Sequence, residues 1–217
     1  DAGCRIIHHE WRDSFSEARN FSLEQARFDW ILVIDADERL EKADIPLLHK
    51  MLDNVPDEIG ALRTVILNEA SDGVKKQDAF RIFRKGQAHF EGIVHNQLIF
   101  DSKNMPCPIR MYHLGYNLPK EQMVKKWDRT ERLLRIQLDA DPLSAFTNSN
   151  LVDVYRCREQ WDRVLQAVDD FDNDVERGDT AHTPLTDQRM HMAELHAHFA
   201  LKNYPEAIDT GQRLVSK

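Results

Sequence analysis

At roughly 150 residues per domain, a chain of 217 residues allows one large domain or two small ones, and 41% hydrophobic residues suffice for a core. Eight glycines and eight prolines fall well below the average usage of about 12% for the pair, and 30% charged residues point to long amphipathic helices, away from a β-sandwich or collagen-like repeats. The excess of 37 acids over 29 bases gives a net charge of −8, a field that repels polyphosphate backbones, so nucleic acid is not an expected partner.

Cys4 to His9 has the composition of a short β-strand. Ser14 and Glu17, three apart, form a capping box that opens a helix over about 15–27, and Ala18, Ser22 and Ala26 recur along it as a small-residue stripe suited to close packing on a sheet. Trp30-Ile31-Leu32-Val33-Ile34 lacks polar alternation, the pattern of a strand buried on both faces, and ends abruptly in Asp35-Ala36-Asp37-Glu38. Asp44 can cap a helix with Pro46 in its first turn; Leu47, Leu48, Met51 and Leu52 line one side of it until about Asp53. From Gly60 onward the chain turns β-rich, with strands expected at Ala61–Leu67, Ala79–Arg84, Gly92–Phe100 and Ile109–His113, and a turn at Ser71-Asp72-Gly73. These strands extend the sheet in antiparallel or mixed fashion.

Beyond Pro119 strand signals nearly vanish, and Met123, Trp127, Thr130, Leu134 and Leu138 step along one helical face. Two later segments superimpose at an offset of 43 residues, with Trp161 and Tyr204 in matching places. Each carries a helix end, a short polar turn, an aromatic and a second helix, the grammar of tetratricopeptide pairs. The period exceeds the usual 34 or so, so Asp172–Thr186 is expected to be an insertion, and two pairs alone need a neighbour to lean on. The helix over Lys120–Asp139 carries Lys120, Lys125, Lys126, Arg129, Arg132 and Arg135 against Glu121, Asp128 and Glu131. That pattern suits a solvated face with i, i+4 pairs, or alternatively a basic lining for an acceptor channel or an anionic membrane surface.

Cys4, Cys107 and Cys157 are odd in number and lie in no CxxC or His-rich spacing, which argues against a disulfide framework or zinc site and for a reducing compartment. The longest apolar run is far short of the roughly 18 residues of a membrane span, and no signal-like segment opens the chain. A cytoplasmic protein is expected, with room for peripheral attachment at the inner face of the membrane.

The acidic cluster at the end of the apolar strand is the sharpest chemical signal, because open α/β sheets bind ligands at the carboxyl ends of their strands. Asp35 and Asp37, one residue apart on a loop, can share a hard divalent cation, Mg²⁺ or Mn²⁺, which would neutralise a leaving diphosphate. Phosphotransferases of the haloacid-dehalogenase type also place Asp-x-Asp after a strand, but they want Thr or Val two residues on, where Arg39 stands.

Phe15-Ser16-Glu17-Ala18-Arg19-Asn20 and Asp29 to Leu40 resemble the central block of family 2 glycosyltransferases, inverting enzymes of the GT-A fold. Arg81-Ile-Phe-Arg84-Lys85, Phe90-Glu-Gly92-Ile-Val-His95-Asn96 and Tyr112-His113-Leu-Gly115-Tyr116 resemble later blocks, and the helices behind them resemble the bacterial subgroup carrying tetratricopeptide repeats. The resemblance implies an α/β, partial GT-A domain (a Rossmann-like mixed sheet) over 1–118, followed by an all-α, tetratricopeptide-like region over 119–217. It implies transfer of a sugar, with inversion, from a nucleotide-sugar donor to an acceptor that is a glycan, lipid-linked glycan or protein. Asp35 and Asp37 would hold the metal and the donor, with His113 completing the metal site; Arg19, Asn20, Arg81 and Arg84 would lie near the donor.

Two departures stand out. Related sequences often place Glu, the acceptor's base, directly after the His of its block, where this chain has Asn96; His95 or Glu91 could substitute, with Asp101 a weaker third. The family's first strands, with an Asp for the nucleobase and an Asp-Thr-Gly-Ser-like turn, are not in this sequence, which begins at Asp1 as if inside a domain and should bind donor poorly by itself. The rival expectation is a non-catalytic module whose repeats are the working surface for a protein partner.

Overall fold

The computed structural model describes residues 3–70, 73–114 and 119–216. They form two compact units, 1–123 and 124–217, the division falling within one helix. The first unit is α/β and the second all-α.

In the first unit Ser14 caps α1 (Phe15–Glu24), its hydroxyl accepting from the Glu17 N–H at 3.1 Å. The helix ends three residues before the expected point because Gln25 and Ala26 donate to Ser22 and Leu23, tightening the last turn. The small-residue stripe packs only in part: Ser22 is exposed, whereas Ala26, just past the helix, meets the core together with Leu23. Residues 4–9 form no strand.

The apolar run yields β1 (Trp30–Leu32), followed by β2 (Glu38–Leu40), a 3-10 turn over Lys42–Asp44 and α2 (Ile45–Leu52). Then come β3 (Ile59–Ala70), β4 (Gly73–Arg84), β5 (His89–Glu91), β6 (Gln97–Ile99) and β7 (Lys103–His113). Five strands pair in the order β1-β4-β3-β7-β2, with β3 and β7 parallel and every other pair antiparallel; β5 and β6 form a separate hairpin. On one face Leu62, Ile82 and Ile109 bury Leu48 of α2, with Met51 and Leu52 packed around them. On the other, Ile31, Ala61 and Phe83 meet Phe90 of β5 and Leu23 of α1.

Four expectations need correction. β1 is an edge strand, not one buried on both faces, and Ile34 beyond it is 45% exposed. Asp44 does not cap α2; it takes Arg110 instead, accepting from that residue's N–H at 2.9 Å and from its Nε and Nη2 at 2.9 and 2.8 Å. Gly92–Phe100 is a loop followed by β6. β7 starts six residues before the expected Ile109. Pro106 and Pro108 disguise it, yet β2 pairs only with residues 111–113 and the β3 ladder skips between Pro106 and Arg110, so the missing N–H groups fall where the pairing is absent or irregular. Ser71 and Asp72 of the expected turn lie outside the described residues.

The division between the units falls in α3 (Lys120–Ala140), on which Leu133 and Leu134 are fully buried. Behind it come α4 (Ala145–Cys157), α5 (Trp161–Glu176), α6 (Pro184–Ala200) and α7 (Tyr204–Ser216). The two aromatics at offset 43 open α5 and α7, and the turns before them match in backbone conformation and in their closing hydrogen bonds. Glu159 and Lys202 both adopt left-handed backbones, φ 57° and 63°. Gln160 donates to the Tyr155 carbonyl and Asn203 to the His198 carbonyl, each at 2.9 Å. The longer period is absorbed by a four-residue earlier start of α6 relative to α4 and by the connection 177–183. Thr183 and Thr186 close that connection with a reciprocal capping box. Within the basic helix, Arg135 is committed to Glu131 at 2.9 Å and to the Tyr155 hydroxyl at 2.9 Å, so this cation belongs to helix packing.

Candidate active site

The Asp35-Ala36-Asp37-Glu38 turn joins β1 to β2 across the sheet and is fastened at both ends. Glu38 N–H donates to the Asp35 carbonyl and Asp35 N–H to Glu38 Oε2, each at 2.9 Å. Leu114 N–H donates to the Asp37 carbonyl at 2.9 Å, tying the turn to the end of β7.

Arg81 reaches this turn because β4 bulges there: Leu62 pairs with Ile82 and the next residue, Arg63, pairs with Phe80, leaving Arg81 as the extra residue. A bulge of this kind re-aims a side chain. Arg81 Nη2 lies 3.2 Å from Asp35 Oδ2 and also binds Glu38 Oε1. From α1, Arg19 Nη2 donates to Asp35 Oδ1 at 2.6 Å while its guanidinium lies over the Phe90 ring, 5.2 Å from the centroid. Two guanidiniums thus bracket one carboxylate, and Glu38, its side chain only 2% exposed, balances the second cation. The Nε donors of Arg19 and Arg81 are buried with no protein acceptor.

Asp37 points elsewhere. Its Oδ2 stands 3.3 Å from His113 Nε2, and His113 Nδ1 stands 3.0 Å from Asn68 Oδ1. The acidic pair therefore divides: Asp35 faces guanidiniums and Asp37 faces an imidazole.

The other expected residues have separate partners. Asn20 clamps the backbone of Phe90, donating to its carbonyl at 2.9 Å and accepting from its N–H at 2.8 Å. Arg84 is not beside Asp35: it stacks on Trp30 at 4.6 Å and donates to the Ile59 carbonyl at 3.0 Å. Lys85 donates to the Ala26 carbonyl at 2.6 Å. Glu91 is 63% exposed and pairs with His89 at 2.9 Å. Two residues apart on a strand, the two share the face opposite Phe90, so Glu91 does not project inward. His95 is exposed in the loop between β5 and β6 and adopts a left-handed backbone, φ 48°. Asn96 Nδ2 is buried without a partner. Gly115 and Tyr116 lie outside the described residues. Sequence reading gave no role to Glu38 beyond its place in the acidic cluster and overlooked Asn68; a carboxylate at the fourth place of the turn was visible, whereas Asn68 carries no local signal.

Among the described residues no three His, Cys, Asp or Glu side chains gather as a metal cage. The donor chemistry of Asp37 and His113, one carboxylate oxygen and one imidazole nitrogen, fits two positions of a Mn²⁺ or Mg²⁺ shell whose other positions belong to ligand oxygens and water. Asp35, with an oxygen on each guanidinium, fits direct coordination less well.

The sequence profile of glycosyl transferase family 2 matches residues 1–114, more than half of the chain. The chain belongs to glycosyl transferase family 2. Its α/β unit is a partial GT-A domain followed by a helical region. The SPbeta prophage-derived glycosyltransferase SunS of Bacillus subtilis is 31% identical over 178 residues, covering 76% of this chain and 42% of that protein. A TPR repeat-containing protein of Synechococcus elongatus is 30% identical over 165 residues, 70% of this chain and 40% of that protein. The lipopolysaccharide core biosynthesis glycosyltransferase LpsC of Rhizobium meliloti is 31% identical over 98 residues, 42% of this chain and 36% of that protein. The chain therefore spans about two fifths of the length of the first two relatives. Among the described residues no helix is long and apolar enough to cross a membrane.

Proposed function

We propose that this chain carries the diphosphate-binding part of an inverting glycosyltransferase that moves a sugar from a nucleotide donor to an acceptor. The observation that carries this reading is the 3.3 Å approach of Asp37 and His113 at the strand end beside the doubly bracketed Asp35, in a member of family 2.

In this reading Asp37 and His113 hold the divalent ion, Mn²⁺ or Mg²⁺. When bound, the ion supplies charge neutralisation for the departing diphosphate. The charge of Asp35 is matched by Arg19 and Arg81, and its part is to hold both guanidiniums in place. Their Nε–H groups, buried without protein acceptors, are donors of the kind that donor oxygens match. Glu38 fixes Arg81 and the Asp35 amide. Asn20 holds β5, and with it the Phe90 ring under Arg19. Arg84 keeps to its stacking role on Trp30.

Inverting displacement requires a base that takes the acceptor's proton as the anomeric carbon is attacked. His95 is our candidate: an imidazole is a common general base, and its left-handed backbone is the kind of local strain that collects at functional loops. Glu91 is committed to His89. The acceptor in this reading is a glycan, a lipid-linked glycan or a protein, and the site of action is cytoplasmic, with peripheral attachment to the inner membrane face.

A second reading concerns the helical unit. The repeated turn geometry and the TPR-named relative favour a protein-binding role for the helix pairs beside the catalytic one, with the α/β domain ending near residue 118.

The test is release of nucleoside diphosphate from a panel of sugar nucleotides with Mn²⁺, Mg²⁺ or EDTA. Metal-dependent release that Asp37→Ala abolishes is expected; unchanged release in that variant rejects the role given to Asp37. Retained partner capture after Asp37→Ala, lost on deleting 155–208, would support the second reading.

A further inference from the structure

We propose that Asn68 is a positioning residue that holds the His113 ring in its Nδ1–H form and thereby turns the Nε2 lone pair toward Asp37. The proposal rests on the reading of Asp37 and His113 as the ion-holding pair.

Asn68 sits on β3 directly across the parallel ladder from His113 on β7. It is 9% exposed, so its amide has to be satisfied within the protein. Its Oδ1 lies 3.0 Å from His113 Nδ1, and its Nδ2 faces Gln77 Oε1 at 3.4 Å, so the amide oxygen is the end that meets the ring in this structure. A carbonyl oxygen only accepts, so the proton belongs on Nδ1. The neutral ring then offers Nε2 as a lone pair, 3.3 Å from Asp37 Oδ2, which also only accepts.

Two acceptors aimed at one another at that distance repel unless a proton or a metal cation lies between them. The imidazolium would satisfy Asn68 and Asp37 together, and when the ring is neutral a metal ion takes the place of the second proton. The tautomer imposed by Asn68 thus converts an ordinary His–Asp hydrogen bond into a pair of lone pairs suited to a divalent ion. Outer partners of this kind set ring orientation and ligand basicity at metal sites. With no hydrogen-bonding group at position 68, Nε2 could carry the proton and donate to Asp37, closing the same space.

The experiment is long-range ¹H–¹⁵N correlation of the His113 ring in the metal-free chain at pH 8, with Mn²⁺ titration followed by electron paramagnetic resonance. The wild type is expected to show Nδ1–H. Asn68→Ala should shift the ring toward Nε2–H and weaken Mn²⁺ binding by about 10–100-fold, and Asn68→Asp, whose carboxylate still accepts from Nδ1–H, should keep the wild-type tautomer. Nε2–H in the wild type, or an unchanged tautomer and Mn²⁺ affinity in Asn68→Ala, overturns the proposal. If the wild type shows Nδ1–H, lost in Asn68→Ala, yet binds no Mn²⁺, the assignment of Asn68 stands and the metal reading of Asp37 and His113 fails.

Discussion

Arg81 Nη2 meets Asp35 Oδ2 at 3.2 Å, joining residues 46 apart in sequence through a bulge that gives β4 one residue more than its partner. The same guanidinium binds Glu38, so one cation fastens both ends of the acidic turn. Asp37, between them, is left to face His113.

Removing that cation should be costly. In Arg81→Met, Glu38 keeps a carboxylate with a side chain 2% exposed and no countercharge from Arg81, and breaking a buried pair on one side costs about 3–5 kcal/mol. Urea unfolding of the α/β unit should register a loss of that order, with Arg81→Lys retaining part of it. A loss under about 1 kcal/mol, the worth of an exposed pair, would mean that Arg81 does not brace the turn.

Acid should weaken the same unit through a different pair. The Arg110 guanidinium and, next, its backbone N–H hold the Asp44 carboxyl below its ordinary value. A depressed carboxylate stabilises the fold above its unfolded value, about 3.9, and that contribution disappears as pH falls through the folded one. Stability should therefore drop below about pH 4, and the drop should be smaller in Asp44→Asn. Parallel pH profiles for the two proteins would show that Asp44 is not responsible.

The helical unit carries a dependence of opposite sign. His191, nearly buried on α6, directs Nε2 at the Asp172 carboxylate (3.2 Å) and Nδ1 at the Asp187 carbonyl (2.8 Å). Both partners only accept, so both are satisfied by the imidazolium. The Asp172 bond chiefly, against the opposing effect of burial and aided by Asp187 and Glu194, raises its pKa. The stabilisation is complete below the unfolded value of about 6.5 and is lost as pH rises through the folded one. The thermal midpoint of the helical unit should fall as pH rises above about 6.5 in the wild type, and less so in His191→Gln. Equal slopes would contradict the imidazolium assignment.

Glu131 supports the junction of three helices. Burial pushes its carboxyl upward, but hydrogen bonds from Arg135 and Arg163 prevail and hold it below the ordinary value. Arg158 adds a third cation at 2.7 Å. Glu131→Ala would leave three guanidiniums facing one another, and we expect it to destabilise the helical unit by about 2–4 kcal/mol in denaturant titration. Glu131→Gln should lie between the two. An alanine variant as stable as the wild type would remove this role.

The sequence made some of this architecture legible for identifiable reasons. Trp161 and Tyr204 exposed the helix pairs because each pair repeats one local turn chemistry, and local chemistry is written in consecutive residues. The Asp35–Asp37 turn was visible because an apolar run ended in acids. What escaped notice was non-local. The extent of β7 was hidden by Pro106 and Pro108, whose places depend on what pairs beside them. Arg84 resembled a donor ligand until β4 placed it against Trp30. Asp44 had the composition of a cap, and Arg110, 66 residues away, outcompeted the helix for it. Asn68 has no neighbour in sequence to suggest its role; only the parallel register of β3 and β7 sets it against His113.

The most direct measurement of the central claim is Mn²⁺ binding, by electron paramagnetic resonance, in the presence of a panel of nucleoside diphosphates, for the wild type, Asp37→Ala, His113→Ala and the double variant. The account predicts binding in the wild type, a loss of at least tenfold in each single variant, and little further loss in the double variant because the two side chains hold one ion. Binding of equal strength in all four proteins, or none in the wild type with any nucleotide, would contradict it.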